Sequence, residues 1–148
     1  MFNEPPTRKR MRLPAHDYAR GAYFVTICAI GGHEILGKIR NAQSVPSTIG
    51  GIVDEEWRRL HSIKGITLDE HVIMPNHMHG IIVIERGCGR TLPSLMQLFK
   101  SRAVKSLQAN YHDPECRIWQ RGYHEDILNG HEHLNAVRRY IRNNPANW

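Results

Sequence analysis

The segment ITLDEHVIMPNHMHGIIVI, residues 66 to 84, contains two strand-like runs separated by the dipeptide Pro75-Asn76. Isoleucine and valine recur in both runs, and β-branched residues of this kind favour strands. Proline followed by asparagine is typical of a tight turn. The segment therefore predicts a β-hairpin, and the continuous apolar run at residues 81–84 predicts that its second strand lies inside the sheet.

The residues before this hairpin predict one more strand and one helix. Residues 22–29 are dense in aromatic and β-branched side chains, as in a strand. Residues 31–46 predict turns on either side of a short irregular or hairpin segment. A helix follows, because Ser47 or Thr48 can cap its first turn and apolar residues then recur at helical spacing. These apolar residues are Ile49, Val53, Trp57 and Leu60.

The residues after the hairpin predict two helices and one strand. Thr91 can cap a helix that has Pro93 in its first turn. Residues 118–128 contain a short final strand, and the last helix starts near Asn129. That helix must end before Pro145, because a residue that precedes proline avoids helical geometry.

The predicted order is strand, helix, strand, strand, helix, strand, followed by one more helix. This is the split β-α-β order of a ferredoxin-like sandwich, an α+β fold with an antiparallel sheet. The chain has 148 residues, of which 41% are hydrophobic and 23% are charged. It is therefore expected to form one globular domain over residues 1–148, with residues 1–20 as an irregular basic arm.

The composition also argues against several classes of protein. No apolar run approaches the roughly 20 residues of a membrane-spanning helix, and the polar, basic N-terminus does not look like a secretory signal. The three cysteines, Cys28, Cys88 and Cys116, are widely spaced and form no CxxC pair. They argue against a disulfide framework or a zinc ribbon, and the expected location is the reducing cytoplasm.

The charge balance favours a polyanionic partner. Twenty Lys and Arg residues against fourteen Asp and Glu residues give a net charge of +6, and the sequence pI is about 9.5. Such a balance favours nucleic acid before a membrane surface. An excess of this size also occurs in proteins that bind nothing acidic, so a merely solvated basic surface stays open as the alternative.

Two histidines stand at the start of the inner strand of the hairpin. Side chains at positions i and i+2 of a strand leave the same face, so His77 and His79 should project together while Met78 points the other way. Two such imidazoles can bind one metal ion. The alternative is a pair of polar residues without a ligand, but an unpaired buried imidazole costs free energy. A tight site needs a third ligand; His71 and Glu85 are nearby candidates, although Glu85 lies on the wrong face of an ideal strand.

The last helix carries a tyrosine and an asparagine four residues apart. Leu134, Val137 and Ile141 form its apolar stripe, and Tyr140 and Asn144 share one flank of that stripe. A helix docked through the stripe could present a phenol and an amide oxygen to the same place. The alternative is a core tyrosine and an asparagine that merely ends a helix. The same helix carries the arginines Arg138, Arg139 and Arg142.

Taken together, these motifs resemble a known family. MPNHMHGIIVI, IWQRGYHEDIL and RRYIRNNPANW, in this order and spacing, are similar to the REP-associated tyrosine transposases of the single-tyrosine HUH transposase family. The likeness extends from about residue 12 to residue 148. It includes RLPAHDYARGAYFVTICA near the N-terminus and the tripeptide FKS at residues 99–101.

The resemblance implies a fold and a chemistry. Family members have a ferredoxin-like fold and act on single-stranded DNA, often beside a hairpin. By this resemblance His77, His79 and Asn144 would hold a divalent metal ion, Mg²⁺ or Mn²⁺, and Tyr140 would be the nucleophile. The ion would help a phenol that is almost entirely protonated at neutral pH to attack phosphorus. The product would be a 5′-phosphotyrosine and a free 3′-hydroxyl, which can be rejoined without ATP. Some relatives are monomers, and others are homodimers that exchange the tyrosine helix.

Basic side chains in two regions are expected to contact DNA phosphates. One group lies on the N-terminal arm and the other on the second helix, where it includes part of FKS. These residues are Arg8, Lys9, Arg10, Arg12, Lys100, Ser101, Arg102 and Lys105.

Two other functions fit parts of the pattern. A histidine-triad nucleotide hydrolase also has alternating histidines on a strand, but it needs a third histidine where this chain has Ile81. A transposase-derived protein that binds hairpin DNA without cutting it is the other alternative. The presence of all four residues, His77, His79, Tyr140 and Asn144, favours the enzyme.

Overall fold

The computed structural model describes residues 16–148, in which nine helices and strands form an α+β fold. In chain order these are β1 (Gly21–Cys28), β2 (Gly37–Arg40), β3 (Gln43–Pro46), α1 (Thr48–Arg59), β4 (Ile66–Met74), β5 (His77–Ile84), α2 (Leu92–Tyr111), β6 (His124–Ile127) and α3 (Gly130–Asn143). Short 3-10 turns connect some of these elements, and one of them, Pro145–Asn147, follows α3. The predicted arm residues Arg8, Lys9, Arg10 and Arg12 lie outside the described residues.

The main sheet confirms the predicted topology. Its strand order is β4-β5-β1-β6, and each neighbouring pair is antiparallel. The hairpin of β4 and β5 turns at Pro75-Asn76, and β5 is an inner strand as expected. Between β1 and α1, strands β2 and β3 form a separate two-stranded antiparallel sheet. Of the two predicted alternatives for this segment, irregular or hairpin, the hairpin is therefore confirmed.

The helix boundaries follow the predicted caps. The side chain of Ser47 accepts a hydrogen bond of 3.0 Å from the Gly50 amide and so caps α1. Thr91 and Ser94 form a reciprocal capping box at the start of α2. Helix α3 ends at Asn143, two residues before Pro145, as the geometry of proline requires.

The two faces of the main sheet are covered by different helices. On one face α1 and α2 bury the larger core, in which Trp57, Met78 and Phe99 are fully inaccessible to solvent. On the other face a smaller cluster surrounds Ile81 of β5 and Ile141 of α3. Within residues 16–148, the helical residues of this smaller cluster all belong to α3, which packs there against the sheet. None of the helices in residues 16–148 has the length and apolar character needed to cross a membrane.

The glycine that follows the histidine pair is required by packing across the larger core. A Cβ built on Gly80 would lie 2.4 Å from Cζ2 of Trp57, whose side chain is fully buried. Trp57 therefore lies directly on the backbone of β5 beside His79.

We expect Gly80→Ala to destabilise the protein by about 1–3 kcal/mol, because Trp57 cannot move without disturbing the core. The melting temperature should fall by roughly 2–4 °C per kcal/mol. Gly51→Ala in α1 is the matched control, since a Cβ there meets nothing within 4 Å and alanine favours a helix. Equal melting temperatures of the two variants in calorimetry would contradict this packing.

Candidate active site

The two predicted histidines lie side by side on the face of β5 that α3 covers. His77 is fully buried and His79 is 2% exposed. Their Nε2 atoms are 3.2 Å apart. Two ligand atoms about 2.1 Å from a shared ion, at about a right angle to each other, are roughly 3 Å apart. The pair is therefore spaced as two ligands of one metal ion, and Met78 points into the opposite core as expected.

A hydrogen bond to the second ring nitrogen orients each imidazole. Nδ1 of His77 donates to Oδ1 of Asn76 at 2.7 Å, so the lone pair of His77 is on Nε2. Nδ1 of His79 is 2.8 Å from the hydroxyl oxygen of Thr26, which can either accept or donate a proton. Outer contacts of this kind fix the tautomer and ring orientation of metal-binding histidines.

Burial keeps both imidazoles neutral at physiological pH. It lowers the pKa of His77 to about 4, although a hydrogen bond with Asn144 opposes the shift. Burial also lowers the pKa of His79 well below its ordinary value, and the neighbouring His77 lowers it further. A neutral imidazole has a lone pair for a metal without first losing a proton.

The structure brings Asn144 to the same place. The residue follows directly after α3, its side chain is 1% exposed, and it lies close enough to His77 to influence the pKa of that imidazole. Two imidazole nitrogens and an amide oxygen therefore converge, which is a suitable partial ligand set for Mn²⁺ and a poorer one for Mg²⁺. The residues present fit a divalent ion.

Tyr140 lies over the histidine pair from the same helix. Its ring centroid is 5.4 Å from that of His79 and 6.0 Å from that of Phe24 on β1. The side chain is 42% exposed, so it is accessible to a large substrate. The phenol is therefore open to solvent on one side and next to the neutral imidazole of His79 on the other.

Four residues of this site were not predicted. Asn76 and Thr26 orient the histidines, Phe24 contacts the tyrosine ring, and Trp148 has its ring centroid 6.1 Å from that of His77. Thr26 pairs directly with His79 across β1 and β5. Its role could have been found from sequence only if the register of these two strands had been known.

The other candidates for a third ligand are not near the pair. Nε2 of His71 is 2.6 Å from Oδ1 of Asp54, and its ring faces Trp57 on the α1 side of the sheet. Glu85 is exposed beyond the far end of β5. Within residues 16–148, no group of three His, Cys, Asp or Glu side chains could hold a metal ion. A site here would therefore depend on the amide of Asn144.

The predicted basic residues of α2 do not all face the same way. The ammonium of Lys100 donates to the carbonyls of Gln120 and Gly122, both at 2.9 Å. Gln120 in turn donates to the carbonyl of Cys28, which pairs with His77 across the sheet. Lys100 thus lies near the histidine end of β1, whereas α2 itself covers the opposite face. Ser101 and Lys105 are exposed, and Arg102 is half-buried.

A comparison with known families covers most of this fold, including all four candidate residues. Residues 35–144 match the sequence model of the IS200-like transposases. The chain belongs to the IS200-like transposase family. This finding confirms the family relationship that the ordered motifs indicated.

Relatives of this IS200-like transposase extend the likeness to almost the whole chain. A protein of Haemophilus influenzae strain Rd, described as uncharacterized, is 29% identical over 163 residues, which cover 95% of this chain and 89% of that protein. A solved structure of a REP-associated tyrosine transposase bound to a REP hairpin has a TM-score of 0.69 at 17% identity, and covers 92% of this chain and 73% of that one. A proposed transposase from Deinococcus radiodurans R1 has a TM-score of 0.57 at 18% identity, and covers 92% and 97%. At these identities the two structures show a shared fold.

Proposed function

We propose that this protein is a metal-dependent DNA strand transferase of the cytoplasm that cuts and rejoins single-stranded DNA. Tyr140 is the nucleophile, and His77, His79 and Asn144 hold a divalent ion, Mg²⁺ or Mn²⁺. The observation that carries the proposal is the position of the Tyr140 ring, 5.4 Å from the ring of His79. A merely structural tyrosine has no need to be 42% exposed beside two buried, neutral histidines.

The reaction exchanges one phosphate ester bond for another. The phenolic oxygen of Tyr140 forms a bond with phosphorus while the bond from phosphorus to the 3′-oxygen breaks. The phenolic proton is lost, and the departing 3′-oxygen gains one. The 5′ end of the downstream strand is then held as a tyrosine phosphodiester, so a second 3′-hydroxyl can displace the tyrosine and rejoin the DNA without ATP.

A divalent ion on His77, His79 and Asn144 would polarise the scissile phosphate and offset its negative charge. The chain itself supplies the orientation. Asn76 and Thr26 hold the two imidazoles, and the apolar stripe of α3 holds Tyr140 above them. Burial of the histidines keeps their lone pairs available at neutral pH.

The DNA substrate is proposed to carry a hairpin. The structurally similar REP-associated transposase is described as bound to a REP hairpin, and the net charge of +6 of this chain suits a polyanionic ligand. Lys100, near the histidine end of β1, is placed to contact a phosphate with its remaining donor.

The test is a trap for the covalent intermediate. Incubation with Mn²⁺ and a hairpin-bearing oligonucleotide labelled at its 3′ end should give a labelled protein band that survives SDS. The same oligonucleotide labelled at its 5′ end should instead release a shorter labelled strand with a free 3′-hydroxyl. Hairpin binding without either product would mean that the protein is a DNA-binding protein without this activity.

The binding of single-stranded DNA should weaken steeply with salt if the basic residues contact phosphates. The logarithm of the affinity should fall by about 0.7 per phosphate contact for each tenfold rise in salt. Arg102→Gln combined with Lys105→Gln should therefore reduce the slope by about 1.4 in a fluorescence-anisotropy titration. Lys64→Gln is the control, since Lys64 precedes β4 at the end away from His77. An unchanged slope in the double variant would assign these two charges to solubility.

A further inference from the structure

A β-bulge in the edge strand β4 presents two acidic side chains to α3. The pairing of β4 with β5 shifts register between Leu68 and His71, and Asp69 and Glu70 occupy the irregularity. The bulge interrupts the normal alternation of side chains, so two consecutive residues can face the same helix.

One of these carboxylates forms a bidentate ion pair with an arginine of α3. Nε and Nη2 of Arg138 donate to the two oxygens of Asp69 at 2.8 and 2.6 Å. Nη1 of the same arginine donates to Asn135 at 3.0 Å, and the amide of Glu70 donates to Asp69 at 2.8 Å. Both side chains of the pair are mostly shielded from solvent. Bidentate pairs of this kind fix orientation as well as distance.

A second, longer contact lies one turn further along the helix. Nη2 of Arg142 is 3.3 Å from a carboxylate oxygen of Glu70, and both side chains are more exposed than those of the first pair. Residues 138 and 142 lie on one flank of α3, whereas residues 140 and 144 lie on the other, because successive residues are 100° apart around a helix. The arginine flank therefore faces the edge strand while the tyrosine flank faces the histidines.

The apolar contacts of α3 leave its rotation weakly determined. Ile141 is the one fully buried residue of this helix, and Leu134 and Val137 are only partly buried against the sheet. With its side chains a helix has a radius of about 5–6 Å, so a rotation of 20° about its axis moves a side-chain tip by about 2 Å. A displacement of about 1 Å in a reacting group can reduce a rate about 100-fold.

We propose that the ion pair between Arg138 and Asp69, at the bulge of β4, fixes the rotation of α3 about its axis. Arg138 and Asp69 are then positioning residues, because this rotation determines whether the hydroxyl of Tyr140 lies over the histidine pair. The inference rests on the proposed function of Tyr140 as nucleophile. Arg138 and Asp69 act through the helix and touch neither the DNA phosphate nor the metal ligands.

The test separates positioning from stability. Arg138→Lys keeps the charge but loses the bidentate geometry, so the rate of adduct formation at saturating oligonucleotide should fall about 100-fold. The affinity for the hairpin oligonucleotide should stay unchanged, and the assay is run at least about 15 °C below the melting temperature of each variant, where the protein is folded. Arg59→Lys is the matched control, because Nη1 of Arg59 contacts both carboxylate oxygens of Glu56 within α1.

A second measurement does not depend on activity. With 3-fluorotyrosine in place of tyrosine, the ¹⁹F resonance of residue 140, assigned by its loss in Tyr140→Phe, should shift or broaden in Arg138→Lys and not in Arg59→Lys. If Arg138→Lys fails to fold, Asp69→Asn, which keeps the shape and one acceptor, replaces it in both measurements.

The possible results distinguish a failure of the positioning role from a failure of the proposed function. An adduct in the wild type, with an unchanged rate and resonance in Arg138→Lys, would overturn the positioning role alone. A rate that falls only in proportion to the unfolded fraction would also overturn it. No adduct in the wild type would overturn the proposed function and the positioning role with it.

Discussion

Replacement of Tyr140 by phenylalanine should abolish the covalent protein–DNA adduct and leave hairpin binding unchanged. The substitution removes one oxygen and keeps the ring, so the contacts with Phe24 and His79 survive and α3 stays docked. Without the hydroxyl there is no group to attack phosphorus, and loss of a nucleophile typically costs several orders of magnitude in rate. The measurement is the SDS-resistant band formed with the 3′-labelled oligonucleotide.

Tyr123→Phe is the control for this experiment. Tyr123 lies in the segment before β6, where it lines a cavity of about 440 Å³ together with Lys100 and residues of α2. The Tyr123→Phe variant should form the adduct at the rate of the wild type. An adduct that persists in Tyr140→Phe and disappears in Tyr123→Phe would identify Tyr123 as the nucleophile instead.

Replacement of His77 and His79 together by alanine should lower strand cleavage by about 1000-fold or more. Stabilisation of a phosphate transition state by a metal is worth several kcal/mol, and each 1.36 kcal/mol is a factor of ten in rate. Hairpin binding should persist, because it is expected to depend on exposed basic side chains, whereas both histidines are buried. Binding of Mn²⁺, followed by electron paramagnetic resonance, should disappear in the same variant. Full cleavage by this variant in the absence of metal would rule the metal site out.

A second, more conservative substitution tests the same metal site if the double histidine variant does not fold. Thr26→Val keeps the shape of the side chain and removes the hydroxyl that is 2.8 Å from Nδ1 of His79. Loss of such an outer contact typically weakens metal binding 10–100-fold. Thr67→Val, at an exposed position of β4, should leave the affinity for Mn²⁺ unchanged.

The parts of the fold that depend on local patterns were predictable. The β-branched runs and Pro-Asn turn in residues 66–84, the caps at Ser47 and Thr91 and the proline at position 145 each act within a few residues, and the structure confirms them. The bulge at Asp69 and Glu70 was not predicted, since it depends on the register between two strands and on a helix about seventy residues away. The same holds for Gly80, whose lack of a side chain is explained only by Trp57 from another element.

The candidate site shows the same division. Spacing of two along a strand placed His77 beside His79, and spacing of four along a helix placed Tyr140 beside Asn144. The resemblance to a transposase family joined these two pairs, because no pattern within either segment shows that α3 lies over β5. Three of the outer contacts remained hidden because each joins residues far apart in sequence: Thr26 with His79, Phe24 with Tyr140, and Trp148 with His77.

The proposed third ligand, Asn144, and the proposed nucleophile, Tyr140, lie at the C-terminal end of α3, while the two histidines lie on β5. An ion bound between them would therefore be a cross-link between sheet and helix, and linkage requires its effects to be reciprocal. If docking of α3 strengthens the binding of the ion by a certain free energy, binding of the ion stabilises the docked state of α3 by the same amount. Protection of the α3 amides from hydrogen exchange would then rise with Mn²⁺ concentration, so that the metal affinity could be read from the backbone of the helix that carries the tyrosine.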